Sequence, residues 1–136
     1  MSDPSHLDFQ IMNAVGRVRR CIEARDTGAQ KAAKLRMWAR RDRAGATRGR
    51  VILAHALRHR YSDQPSPITE AEIRRGIRCL KARAVRRSKA ADAWAARQAS
   101  ADADIRAVVR AASPDVLTAL LECADERVRF AVISSL

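Results

Sequence analysis

Aromatic residues are nearly absent from this chain: two Trp, one Tyr and two Phe make up 4% of 136 residues. With no alternating β-branched stretches either, a sheet core is excluded and an all-helical fold is the economical reading. Large apolar side chains are also scarce. Hydrophobic residues are 47% of the sequence, but 27 of them are Ala, which bury little area each, so the core is modest. The longest strongly apolar run, residues 51–57, is interrupted by His55 and far too short to span a bilayer. The N-terminus lacks a basic segment followed by an apolar one, so no secretory leader is expected and the protein is assigned to the cytoplasm. Cysteine is limited to Cys21, Cys79 and Cys123, an odd, widely spaced set that reads as small core residues of a reducing compartment.

Catalytic signatures are missing too. There is no P-loop, no nucleophile elbow and no dinucleotide fingerprint. Glu70 and Glu72 sit at a helix start, where capping and dipole effects account for them. His55 and His59 are four residues apart, but no third ligand has suitable spacing, so no metal and no cofactor is expected. The chain reads as a non-enzyme.

What is present is positive charge. The formal net charge is +12 and the pI about 11.2. Residues 1–99 hold 23 basic and 9 acidic side chains, a net of +14, and residues 100–136 hold 4 and 6, a net of −2. Arg outnumbers Lys 23 to 4, which suits bidentate phosphate contacts. Residues 74–89, RRGIRCLKARAVRRSK, contain eight Lys or Arg and no acid. On a helical wheel Arg75, Arg78, Arg86 and Lys89 fall on one side, and Ile73, Ile77, Leu80, Ala84, Ala91 and Ala95 on the other. One face packs and the other meets negative charge.

The periodicity predicts helices over about 4–26, 29–43, 50–60 and 70–99. Asp3-Pro4 opens the first, Thr27-Gly28 stops it, the two glycines of 44–49 break the second from the third, and the prolines of 61–67 form a loop. The 50–60 helix, apolar on more than one side, is expected to be the most buried. Thr69 and Glu72 form a capping box with Ile68 and Ile73 as staple, opening a helix about 45 Å long. The SADAD stretch at 100–104 resets the charge and starts a C-terminal unit of short helices, one bearing Ile105, Val108, Val109 and Ala112, one capped at Ser113 and one at Asp125. The expected architecture is a small helical bundle with one long basic amphipathic helix and this near-neutral unit, whose residues 105–136 read as a docking or self-association surface.

The candidate binding residues are Lys31, Lys34, Arg36, Trp38, Arg40 and Arg41 of the second helix, and Arg74, Arg75, Arg78, Lys81, Arg83, Arg86 and Lys89 of the fourth. Backbone phosphates would meet the cations. Trp38 could stack on a base or plug into the core beside Leu35. Sequence-independent binding of RNA or single-stranded DNA is therefore the expected function. The alternatives are a helical DNA-binding regulator, whose helix-turn-helix would need a shorter turn than either candidate provides, and a basic adaptor or inhibitor docking on an acidic protein. In small size, helicity, long basic helix and neutral C-terminal unit, the chain resembles the small helical subunits of multi-subunit CRISPR effector complexes, a likeness of architecture and charge carried by residues 31–43 and 74–89. The resemblance implies a ribonucleoprotein subunit that helps hold guide RNA and target strand, with apolar C-terminal residues facing neighbouring subunits.

Overall fold

The computed structural model describes residues 4–58 and 69–136, and every element in them is an α-helix: α1 Pro4–Arg58, α2 Glu70–Ala111, α3 Pro114–Leu121 and α4 Glu126–Ser134. The expected opening cap at Asp3, the proline loop at 61–67, the staple residue Ile68 and the expected end of the 50–60 helix lie outside the described residues. At the start of α2 Thr69 caps the helix as the expected capping box requires of it, the Glu72 backbone N–H donating to Thr69 Oγ1 at 3.2 Å. Ser113 and Asp125 cap α3 and α4 by accepting from the backbone N–H of Val116 at 3.3 Å and of Arg127 at 3.0 Å.

Three expected breaks do not occur. α1 runs without interruption through 27–28 and 44–49, and α2 through 100–104, so the separate helices over 4–26, 29–43 and 50–60 are one, and the 70–99 helix continues to Ala111. The physical reason is side-to-side packing. A Cβ on Gly28 would stand 2.9 Å from the Trp94 carbonyl oxygen, and one on Gly49 would stand 2.7 Å from Ile77 Cγ1. These glycines are where α1 and α2 touch backbone to neighbour, and the contact outweighs a helix cost of about 1 kcal/mol each. At 100–104, Ala101 and Ile105 are buried one turn apart and Asp102 lies 3.9 Å from Arg25. Tertiary contacts therefore carry the helix across a polar stretch.

The chain divides into two compact units, one made of Met1–Gln30 with Trp94–Leu136, the other of Lys31–Ala93. The expected boundary at 99/100 falls inside α2. In the first unit Val18 and Ile22 of α1 meet Ile105, Val108 and Val109 of α2, Val116 and Leu120 of α3, and Val128, Ala131 and Val132 of α4 in a single core. The apolar residues of 105–136, expected to form a docking surface, are thus mostly spent on that core; Phe130, Ile133 and Leu136 stay exposed. Cys21 and Cys123 pack partly against the core, whereas Cys79 is exposed rather than internal.

The second unit is an antiparallel pairing of α1 and α2 along a seam of small residues. Positions 32, 35, 39, 42, 46, 49, 53 and 56 face positions 73, 77, 80, 84, 87 and 91, alternating steps of three and four that make a seven-residue repeat. Ala32, Ala39, Ala46, Ala84 and Ala91 are buried, and Ile73 and Ile77 pack with Ala46, Leu53, Ala56 and Leu80. The 51–57 segment is not the most buried helix. Val51 and Ile52 are 66% and 55% exposed, because among the described residues only the seam side of α1 has a partner there.

Candidate nucleic-acid interface

The Lys31–Ala93 unit holds eighteen basic and five acidic side chains, a net of +13, while the rest of the chain holds nine and ten, a net of −1. The whole positive excess therefore belongs to one unit. In the other, arginines meet carboxylates: Arg19 with Asp125 at 3.0 Å and Arg127 with Asp26 at 2.8 Å. The Arg19 guanidinium, with the backbone N–H groups of Arg127 and Val128, holds the Asp125 carboxyl below its ordinary range.

Between residues 31 and 58 the sequence contains nine cations and one acid, Asp42. Asp42 occupies a seam position and is 3% exposed. Arg83 donates to its Oδ1 through Nε and Nη2 at 3.1 and 2.8 Å, and Arg87 Nη1 donates to Oδ2 at 2.9 Å. The Arg83 hydrogen bonds, then the charges of Arg83 and Arg87, lower the carboxyl's pKa against the opposing effect of burial. All nine cations of that segment are exposed. The one carboxylate of α1 between residues 31 and 58 is buried in the seam.

Trp38 sits one turn before Asp42 on this side of the seam. It is half-buried, with the Lys34 ammonium 4.9 Å and the Arg87 guanidinium 5.0 Å from its ring centroid. The ring is engaged by the protein's own cations, an attraction of about 0.5–1 kcal/mol per pair at exposed sites. Half-buried, it meets two of the protein's own cations from α1 and α2.

On the other side of the seam an open groove of about 550 Å³ runs between α1 and α2, lined by Arg43, Thr47, Arg50, Lys81, Val85, Ser88, Lys89 and Asp92 among others. Arg36 and Arg40 line its continuation, which shares Arg43, Ser88 and Asp92. Arg43 donates to Ser88 Oγ at 3.4 Å, and Arg36 lies 3.8 Å from Asp92, the acid on this wall.

Of the sequence-predicted residues, Arg36, Arg40, Lys81 and Lys89 are brought together here. Lys31, Lys34, Arg41, Arg75, Arg78 and Arg86 are exposed but do not line the groove. Arg83 is tied to Asp42, and Arg74 is paired with Glu70 at 2.9 Å, so the basic run of α2 is not uniformly available. Arg43, on the same side of the expected second helix as Arg36 and Arg40, joins them here, and Arg50 is the residue that sequence reasoning left out. Its signal is the seven-residue spacing with Arg36 and Arg43, which the expected break at 44–49 hid.

Among the described residues no group of three or more His, Cys, Asp or Glu is placed to hold a metal, and no helix is long and apolar enough to cross a membrane. His59 lies outside the described residues. The continuity of α1 removes the helix-turn-helix that the 29–43 and 50–60 helices would have formed. Comparison with protein-family models, curated proteins and solved structures gives no match.

Proposed function

We propose that this protein is a non-enzymatic binder of nucleic-acid backbone, RNA or single-stranded DNA, acting without sequence preference through the Lys31–Ala93 unit. The observation that carries the reading is the burial of Asp42 beneath nine exposed cations, which leaves α1 over residues 31–58 with no exposed carboxylate. Solvated helical faces ordinarily mix signs in pairs three or four residues apart. A surface that excludes acids over that length suits a polyanion, whose phosphates the arginines can contact bidentately while releasing counterions.

The setting we propose, from likeness of architecture and charge alone, is a cytoplasmic nucleoprotein complex of the CRISPR-effector kind. Docking to neighbouring subunits belongs to the same proposal, supported by the apolar side chains that remain exposed in the other unit, Phe130, Ile133 and Leu136. Titration with several unrelated oligonucleotides at rising salt tests the binding. For six to ten phosphate contacts affinity should fall by about 10³ to 10⁵ between 50 and 200 mM salt, alike for each sequence. Affinity that hardly moves over this range would transfer the basic unit to an acidic protein partner.

A further inference from the structure

The cations of α1 form two rows. Arg36, Arg43 and Arg50 are seven residues apart, and so are Lys34, Arg41 and Arg48; all six are exposed. Seven residues are close to two turns, so each row runs along the helix at intervals of about 10 Å. Lys34 and Arg36 are two residues apart, which puts the rows about 160° from one another around α1. The first row faces the groove, where Arg43 and Arg50 stand opposite Lys81 and Lys89 of α2. The second row is on the Trp38 side, where Lys34 and Arg87 lie against the indole ring.

On the seam side the rows are separated by Ala39, Asp42, Ala46 and Ala84, each at most 3% exposed, and on the outer side of α1 by exposed residues that include Met37 and Arg40. A helix with its side chains is about 10–12 Å across, so a single extended strand lying along one row contacts that row and leaves the other open.

Resting on the backbone-binding reading above, we infer that a single copy of this protein holds two nucleic-acid segments at once, one on each flank of the α1–α2 seam, and so bridges them. Each flank has its own cations, and neither carries an acid from α1. Two phosphate backbones on opposite sides are also farther apart, and repel less, than two sharing one groove.

The test mixes donor-labelled and acceptor-labelled 20-nucleotide strands of non-complementary sequence, with duplexes of the same length in parallel, and adds protein. Bridging predicts energy transfer that peaks near one protein per two strands and falls as protein is added in excess. Light scattering should give a complex of one protein with two strands. The triple variant Arg36→Glu, Arg43→Glu, Arg50→Glu should lose energy transfer while fluorescence anisotropy still reports a bound strand; Lys34→Glu, Arg41→Glu, Arg48→Glu should do the same. The sextuple variant should bind nothing, and Gln versions with helicity checked by circular dichroism guard against misfolding. Saturation at one strand per protein without energy transfer would overturn the bridging but leave the binding reading standing, as would one triple removing all binding while the other removes none. Complexes containing two proteins would reassign the bridging to self-association. A wild-type protein that binds neither strand nor duplex would overturn both.

Discussion

Asp42 is an acid in the part of the seam where alanine and glycine predominate, and its role follows from what surrounds it. A run of small residues offers little to distinguish one pairing of α1 and α2 from another slid by seven positions. A buried polar group at a seam position does distinguish them, at a cost in stability. Asp42 with Arg83 and Arg87 satisfied in one alignment meets that requirement. Its folded carboxyl titrates below its ordinary value of 3.8 because the arginines favour the charged form. The contribution is therefore complete above the unfolded-state value and disappears as pH falls through the lower folded-state value. Asp42→Asn should lower Tm at neutral pH and flatten the loss of stability on the acid side of pH 4, measured as Tm across pH 2–7. An unchanged acid limb would deny the pair this role.

Glycines give a second contrast at the same scale, since one substitution should have opposite signs at two sites. Gly28→Ala would place a methyl against the Trp94 backbone, where yielding is difficult, and should destabilise by about 1–3 kcal/mol. Gly76 has nothing within 4 Å, so Gly76→Ala should stabilise by about 1 kcal/mol through helix propensity alone. Urea denaturation of both variants decides it. Equal and favourable effects would mean that Gly28 is no contact point.

At the scale of elements, the caps at Thr69, Ser113 and Asp125 and the packed face of α2 were legible, because each rests on a few residues close in sequence. Ile73, Ile77, Ala84 and Ala91 are buried as the helical wheel requires. Continuity of α1 and α2 was not legible, since it depends on what lies across the seam. Gly28, Gly45 and Gly49 read locally as stops, and a heptad built of Ala, Gly, Asp and Arg is invisible to a search for large apolar residues. The same blindness made 105–136 look like a separate surface. Val18 and Ile22, more than eighty residues away, complete its core. Truncation after residue 111 should therefore melt more than it removes: hydrogen exchange at Val18 and Ile22 should lose protection along with the deleted helices. Retained protection there would show that α3 and α4 are accessories. Within the unit, Leu120→Ala should cost about 2–5 kcal/mol, as expected for a fully buried leucine.

For the whole molecule, charge is distributed by unit rather than by terminus, and that sets how stability responds to salt. The Lys31–Ala93 unit carries a net +13 on a seam with few large apolar contacts. The pairs of Arg74 with Glu70 and Arg36 with Asp92 are exposed, and such pairs contribute little to stability. Self-repulsion should then outweigh attraction in the folded state. The Debye length falls from about 10 Å at 0.1 M to about 3 Å at 1 M, so added salt screens the repulsion between neighbouring rows of arginine more than it weakens the buried pair at Asp42. Melting followed by circular dichroism should show Tm rising with sodium chloride from 0.05 to 0.5 M. At low salt, a polyanion such as heparin should raise it further by binding the folded form, an effect that the added salt then removes. A Tm that falls with salt in the absence of polyanion would mean that ion pairing, not repulsion, governs the unit, and the exposed cations would be reassigned to internal networks.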